Sequence, residues 1–323
     1  MTRAVLGIDT SCYCTSCALV SDQGTLVSQQ RAMLGVPEGS RGLRQNDAVF
    51  QHIKRLPDLM DQLFNAAGDI ELAAVCASDK PLDGPDSYMP VFAVGLSLAR
   101  SIAFTHGIPC FTASHQRGHL AAAAFGQAPL PREYLAIHLS GGTTQVLHID
   151  GPECRLLGGT GDISAGQLLD RIGVMMGLPF PAGPAMEALA MEAVALGRYP
   201  AIAREGKTSF SGAEAAAIRD LQAGELSHAR IAAELFDCIA RSLEKLLSHA
   251  SKQTGVCFTL LTGGVASSAL LRRVLIQRIE KRERSIRVAF GQRELSGDNA
   301  VGIAAIGLEK YREWRAGQTW QSS

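Results

Sequence analysis

Ala4-Val5-Leu6-Gly7-Ile8-Asp9-Thr10-Ser11 is an apolar run that ends in a polar loop. Residues 15–20 follow as a second apolar stretch, then a turn at Asp22-Gln23-Gly24, then Thr25-Leu26-Val27. The same order returns far down the chain. Tyr134-Leu135-Ala136-Ile137-His138-Leu139-Ser140 runs into Gly141-Gly142, then residues 143–149, then a turn at Asp150-Gly151. Both stretches read as strand, tight polar loop, strand, turn, strand. A unit that occurs twice implies two related halves.

Outside the two copies the period lengthens to that of a helix. Residues 49–64 carry helical spacing and stop at Gly68, and residues 91–104 do so up to His106-Gly107. Residues 72–77 and 108–112 read as strands. Ser114 is placed to cap a helix carrying His115 and His119. Pro129 and Pro131 mark the join between the halves. Beyond the second copy, helical patterns cover residues 164–176, 185–196, 228–251 and 267–281, with strands at 258–261 and 286–290. Asp298 is read as the cap of a final helix reaching about Trp314. Strands alternating with helices predict an α/β class. The expected division is 1–130 for the first half and 131–323 for the second, which carries a helical insertion.

Composition narrows the function. Hydrophobic residues make up 46% and charged residues 19% of 323 positions, enough apolar material for a sizeable core and too much for disorder. Lys plus Arg equals Asp plus Glu at 31 each, so bulk attraction to nucleic acid is excluded, and any RNA contact needs a local patch or a partner protein. Met1-Thr2-Arg3 leads straight into the first strand, with no leader pattern, and no apolar run is long enough for a bilayer. The expectation is a cytoplasmic protein with no membrane association. Its eight cysteines are read as reduced thiols.

Several short motifs admit two readings each. His115 and His119 stand at i and i+4, so both imidazoles can reach one metal ion, or both are a surface pair. A zinc peptidase needs Glu after the first histidine; Gln116 stands there and argues against that chemistry. Ser140-Gly141-Gly142-Thr143 is a hairpin turn or a loop that lets backbone amides approach an anion. The earlier copy at Asp9-Thr10-Ser11-Cys12 favours the second, because two polar loops facing one another can grip a polyphosphate. Gly263-Gly264 lies between a strand and a helix, a site for phosphate or a plain turn. Asp162 is an N-cap or a functional acid; Asp170 is an exposed carboxylate near Arg171 or a ribose partner. Asp298 is a cap on its own and a hard metal ligand in company with the histidines. Cys12, Cys14 and Cys17 lack a matching pair for zinc and are read as packing thiols. The basic run Arg272, Arg273, Arg278, Lys281, Arg282, Arg284 and Arg287 is read as a solvated helix face.

In order, the chain shows Gly7-Ile8-Asp9-Thr10-Ser11-Cys12, Ser114-His115-Gln116-Arg117-Gly118-His119, Leu139-Ser140-Gly141-Gly142-Thr143-Thr144-Gln145, Gly161-Asp162-Ile163-Ser164, Leu178-Pro179-Phe180-Pro181-Ala182-Gly183, Ser209-Phe210-Ser211-Gly212, Gly263-Gly264-Val265-Ala266 and Gly297-Asp298-Asn299-Ala300. Together they resemble the universal tRNA threonylcarbamoyladenosine synthases, a family once named O-sialoglycoprotein endopeptidase or glycoprotease. The resemblance implies a duplicated actin-like ATPase fold, two RNase H-like halves with a cleft between them. It implies transfer of a threonylcarbamoyl group from threonylcarbamoyl-AMP to an adenosine of tRNA. It also implies one divalent metal, Fe2+ or Zn2+, on His115, His119 and Asp298. The adenylate, or another adenine nucleotide, is expected at Ser140, Gly141, Gly142, Thr143, Asp170, Gly183 and Ser268. Thr10, Ser11, Gly263 and Gly264 are expected in phosphate loops. tRNA is expected to arrive through partner proteins of the threonylcarbamoyladenosine pathway. No side chain is assigned as a catalytic acid, base or nucleophile.

The chain departs from the family pattern in places. Tyr13-Cys14 replaces an acidic pair, Ile163 and Gln167 replace an Asp and a Glu, and Asp83-Gly84-Pro85-Asp86-Ser87-Tyr88 replaces a Gly-Pro-Gly-Leu loop. Lost carboxylates alter proton transfer and local charge. Adenylate binding with weak transfer is therefore expected, and a noncatalytic paralogue binding nucleotide and metal as an assembly partner or sensor is the alternative.

Overall fold

The computed structural model describes residues 1–36, 43–84, 86–127, 130–151 and 153–321. Pro85 and Pro129, used in the sequence reading, lie outside the described residues. The chain forms two compact units, one of Met1–Ala128 with Gln292–Ser323 and one of Pro129–Gly291. The C-terminal segment thus belongs with the first unit. The expected division is 1–130 and 131–323; the compact units are bounded at Ala128/Pro129 and at Gly291/Gln292.

The first unit contains β1 (Thr2–Thr10), β2 (Cys14–Ser21), β3 (Leu26–Met33), α1 (Gln45–Ala67), β4 (Ile70–Lys80), α2 (Phe92–His106), β5 (Cys110–Ser114) and α3 (His115–Ala124). Its sheet has the order β3-β2-β1-β4-β5, antiparallel across β1–β2–β3 and parallel across β1–β4–β5. The second unit opens with β6 (Glu133–Leu139), β7 (Thr144–Asp150) and β8 (Glu153–Thr160). Then come α4 (Ala165–Met175), α5 (Gly183–Ala190), β9 (Ile202–Arg204), β10 (Lys207–Ser209), α6 (Ser211–Ala223) and α7 (His228–Thr254). It closes with β11 (Phe258–Thr262), α8 (Ala269–Arg282) and β12 (Arg287–Phe290). The chain ends in α9 (Val301–Gln321), which packs in the first unit.

The second sheet has the order β12-β11-β6-β7-β8-β10-β9. Its core β8-β7-β6-β11-β12 repeats the first sheet in order and in strand direction. The duplication read from the two polar loops is a duplication of whole sheets. The extra elements α4 to α6, with β9 and β10, stand between β8 and α7, and they form the helical insertion. Its helix at 185–196 is shorter than the periodicity suggested, since α5 ends at Ala190.

β1 explains why its sequence is a continuous apolar run rather than an alternating one. Leu6 and Ile8 face a cluster with Leu56, Leu59 and Leu63 of α1 and Ala99 and Ala103 of α2. Val5 faces the other side, with Val301, Ala304 and Leu308 of α9. A strand covered on both faces has no reason to alternate. α9 lies so close that a Cβ on Gly7 would stand 2.5 Å from both the Ala300 carbonyl oxygen and the Ala304 amide. α3 meets α9 backbone to backbone, since a Cβ on Gly302 would fall 1.8 Å from the Gly118 carbonyl oxygen.

Candidate metal centre and phosphate loops

α3 begins at the carboxyl end of β5, and the Ser114 hydroxyl accepts the Arg117 amide at 3.2 Å to cap it. That start directs His115 and, one turn on, His119 to the same side. Asp298 lies in the turn before α9. Asp298 does not cap that helix as expected: Asn299 Oδ1 accepts the Val301 amide at 3.0 Å in the turn that leads into it, and the Asp298 carboxylate lies against the histidines. His115 Nε2 is 3.1 Å from His119 Nε2, and Asp298 Oδ1 is 3.3 Å from His119 Nε2 and 3.8 Å from His115 Nε2. Three ligands on a tetrahedral ion with bonds of about 2.0–2.1 Å lie roughly 3.3 Å apart. The three atoms therefore have the spacing of an ion's coordination edges, and among the described residues this is the group of acids, histidines and cysteines that converges so. Cys12, Cys14 and Cys17 take no part in it and are unbridged thiols.

Further polar groups stand behind these three side chains. Asp9, buried at the end of β1, meets His115 Nδ1 at 2.8 Å through Oδ2 and accepts the Ser78 hydroxyl through Oδ1. A carboxylate on Nδ1–H leaves Nε2 as the ligand atom. The Ser11 hydroxyl donates to Asp298 Oδ2, so Oδ1 is the oxygen that faces the imidazoles. Neither role was assigned from sequence. The only signal for Asp9 was an acid ending an otherwise apolar strand, which a loop residue explains equally well. Thr10 is fully buried and its hydroxyl donates to the Val91 carbonyl at 2.9 Å, so its side chain is committed to the start of α2.

Burial alone would lower the His115 pKa, but the Asp9 and Asp298 carboxylates outweigh it and push it up to about 9. Burial would raise the Asp298 carboxyl, yet the His115 charge and hydrogen bonds from His119 and Ser11 hold it far below the usual carboxylate range. The consequence for pH has a definite sign. Below about 6.5, the ordinary imidazole value, His115 is protonated whether the chain is folded or not, and the full stabilisation is present. Between there and 9 the folded state keeps a proton that the unfolded state has lost, so metal-free stability falls with rising pH. A metal ion must displace that proton, so its affinity should climb about tenfold per pH unit over the same window and level off above it. Titration calorimetry from about pH 6.5 to 9.5 checks this, and a flat profile would remove His115 from the ligand set.

The second unit gathers its own group of residues at the carboxyl ends of β6 and β11, which run parallel. Ser140 Oγ accepts the amides of Gly142 at 3.3 Å and Thr143 at 3.0 Å, which makes the loop a rigid turn. The Ser164 hydroxyl donates to the Gly141 carbonyl at 2.7 Å, and a Cβ on Gly166 would fall 2.6 Å from Gly141 Cα. α4 thus braces the loop, while Gly141 and Gly142 stay exposed with open space at their Cβ positions. Gly263 adopts φ +98°, and a Cβ there would lie 2.2 Å from the Leu139 carbonyl oxygen, so the end of β11 abuts the end of β6. Gly264 borders open space.

Asp170 and Gly183 are brought together. Asp170 Oδ1 accepts the Ala182 amide at 2.7 Å at the start of α5; burial raises its pKa, and hydrogen bonds from the Ala182 and Gly183 amides oppose the rise. Ser268 is buried and its hydroxyl caps α8 by accepting the Leu271 amide at 3.1 Å. Glu187 of α5 accepts the Leu270 amide at 2.8 Å and ties α5 to α8, a link the sequence did not suggest. Asp162 caps α6, accepting the Phe210 and Ser211 amides at 3.1 and 2.9 Å and the Ser209 hydroxyl at 2.6 Å. α4 is capped instead by Ser164, with Gln167 returning to the Ser164 amide at 3.0 Å. Of the basic run, Arg278 and Arg282 are paired with Glu244, and Arg272 donates to the Ala266 and Gly291 carbonyls.

The tRNA N6-adenosine threonylcarbamoyltransferase family matches this chain over residues 38–305. The chain belongs to that family. The tRNA N6-adenosine threonylcarbamoyltransferase of one Thermus thermophilus strain is 33% identical over 316 residues, spanning 95% of this chain and 93% of the relative. That of a second strain of the same species is also 33% identical, over 95% and 92%. The fold extends further. The activator of the 2-hydroxyisocaproyl-CoA dehydratase from Clostridium difficile superposes with a TM-score of 0.58 at 13% identity, over 97% of both chains. A ROK family glucokinase from Streptomyces griseus does so with a TM-score of 0.54 at 14% identity, over 95% of this chain and 99% of its own. At such identities the likeness is of fold, and it is the actin-like ATPase fold.

Within this threonylcarbamoyltransferase homologue, the two departures beside the centre have distinct fates. Tyr13 is 44% exposed at the β1–β2 turn. Cys14 is fully buried, with Sγ 3.8 Å from the Asp298 carbonyl oxygen. Burial, with Asp298 and Asp9 nearby, pushes its thiol up to about 12, so it is neutral at physiological pH. No helix among the described residues is long and apolar enough to cross a membrane.

Proposed function

We propose that this chain transfers a threonylcarbamoyl group from threonylcarbamoyl-AMP to an adenosine of tRNA in the cytoplasm, using one Fe2+ or Zn2+ ion on His115, His119 and Asp298. The observation that carries the metal reading is the convergence of two Nε2 atoms and Oδ1 at coordination spacing, with Asp9 and Ser11 holding the far side of His115 and Asp298. Three protein ligands would leave such an ion with a position open to a substrate oxygen. When bound, the ion would supply Lewis acidity toward a carbonyl or phosphoryl oxygen. The protein's part is orientation: Asp9 fixes the His115 tautomer, and Ser11 selects the carboxylate oxygen that Asp298 presents. The adenylate is already activated, so no protein nucleophile is required.

In the second unit, exposed Gly141 and Gly142 offer a phosphate surface, and Asp170 with Gly183 offers ribose and base contacts at the start of α5. Gly142→Val tests the loop cleanly. A Cβ there meets open space and Gly142 is exposed with no positive φ, so the unliganded melting temperature should stay within about 1–2 °C, as for an unhindered surface change. The rise that adenine nucleotide gives the parent should vanish in the variant. An equal rise in both would place the nucleotide elsewhere.

The transfer itself is tested with threonylcarbamoyl-AMP and unmodified tRNA, with and without the partner proteins of the threonylcarbamoyladenosine pathway. Modified adenosine formed only with functional His115 and His119 supports the assignment. The neutral Cys14 thiol supports a second reading, a paralogue that binds nucleotide and metal without efficient transfer, because the charge of the lost acidic pair is not replaced. Binding of the adenylate without product under all those conditions selects it.

A further inference from the structure

His52 of α1 is fully buried, and both ring nitrogens are engaged near the metal loop. Its Nε2 is 2.9 Å from the Ser11 carbonyl oxygen, and its Nδ1 is 2.8 Å from the Thr15 hydroxyl. A carbonyl only accepts, so Nε2 carries the proton, and Nδ1 accepts from Thr15. Burial lowers its pKa and keeps the ring neutral, which suits one donor and one acceptor. Ser11 is the residue whose hydroxyl holds Asp298 Oδ2. The Ser11 backbone is fixed from two directions, by its amide donating to the Cys14 carbonyl at 3.0 Å and by His52 on its own carbonyl. Aligning a serine hydroxyl on one carboxylate oxygen requires the serine backbone to be held, and His52 is the side chain that reaches across from a separate element to hold it.

The geometry points to His52 as a positioning residue, which through the Ser11 carbonyl sets the rotation of the Asp298 carboxylate and so the affinity for a divalent cation at His115, His119 and Asp298. The inference rests on the metal reading above. It adds a residue that touches neither ion nor substrate, on a helix far ahead of His115 in the chain. A group hydrogen-bonded directly to a ligand is worth about 10–100-fold in metal affinity, and His52 acts one hydrogen bond further out, so the lower end of that range applies.

The test uses the full chain, stripped of metal and titrated with Co2+ alone, reading the visible d–d spectrum and the dissociation constant. His52→Leu should weaken Co2+ binding about 10-fold or more and shift the spectrum, as for loss of an orienting partner. His52→Gln keeps an Nε2 donor at the same number of bonds from Cα and should regain at least half of that loss on a logarithmic scale. Leu63→Ala, in the same helix and fully buried but remote from Ser11, should lower the melting temperature and leave Co2+ affinity unchanged. Equal Co2+ affinity in His52→Leu and parent, or an equal loss in Leu63→Ala, overturns the positioning role while the metal site stands. No Co2+ bound by the parent overturns the metal reading itself. Should His52→Leu fail to fold, 15N spectra of the parent decide: a proton on Nε2 supports the role, and a proton on Nδ1 overturns it.

Discussion

Simultaneous His115→Ala and His119→Ala is expected to leave the protein folded and free of metal, where the parent carries about one ion per chain, as a single three-ligand site implies. The expectation rests on geometry. Without the imidazoles the Asp298 and Asp9 carboxylates are left, and among the described residues no other group of acids, histidines and cysteines converges to substitute. Transfer should fall by several orders of magnitude, the scale on which electrostatic stabilisation of a reacting oxygen operates. Folding should survive, because α3 is anchored by its small residues against α9 rather than by the imidazoles. Removing the imidazoles also strands the Asp9 and Asp298 carboxylates without their counter-charge, so a modest loss of melting temperature is expected. Elemental analysis and the transfer assay together check the prediction. Metal retained at the parent level would remove both histidines from the site.

Gly302→Ala should have the larger effect on stability. Its Cβ would fall 1.8 Å from the Gly118 carbonyl oxygen and 2.6 Å from the Ala122 amide, all backbone that cannot rotate away. α9 must then lift from α3, and overpacking of this kind costs about 3 kcal/mol or more. At roughly 2–4 °C per kcal/mol the melting temperature should drop by about 6–12 °C. Gly161→Ala, with open space and no positive φ, serves as the control and should change little. The metal should be weakened as well, since α3 carries both histidines and α9 follows directly on Asp298. A Gly302→Ala protein as stable as the parent would mean that the two helices do not meet backbone to backbone.

Much of the fold was legible because it repeats. A buried strand, a polar loop and a second strand written twice revealed the duplication, and the structure extends it to the strand order of both sheets. The candidate ligand set was legible only by combination, since an i, i+4 histidine pair and a lone Asp298 each have an ordinary explanation. Residues that work through others were not legible. Asp9 looks like the polar end of a strand, and His52 looks like any histidine on an amphipathic helix. Only the tertiary structure brings Asp9 to His115 Nδ1 and His52 to the Ser11 carbonyl. Caps were misplaced for a local reason. Asp298 and Asn299 are adjacent and both suit an N-cap, as do Asp162 and Ser164, and side-chain competition for more distant partners decided between them. The Thr10 hydroxyl donates to the Val91 carbonyl and the Ser268 hydroxyl accepts the Leu271 amide, partners that only the folded chain supplies.

The return of residues 292–323 to the first unit has a consequence for how the protein is made. A ribosome delivers the chain from its N-terminus, and domains generally fold as they emerge. When residue 128 leaves the exit tunnel, the first sheet has its strands but one face of β1 is bare, because Val301, Ala304 and Leu308 have not been synthesised. The second unit is continuous from Pro129 to Gly291 and holds everything its core needs before the chain ends. The part translated first is therefore completed last. His115 and His119 must wait for nearly the entire message to be read before Asp298 joins them, so a nascent or prematurely terminated chain carries two imidazoles and no closed site for an ion.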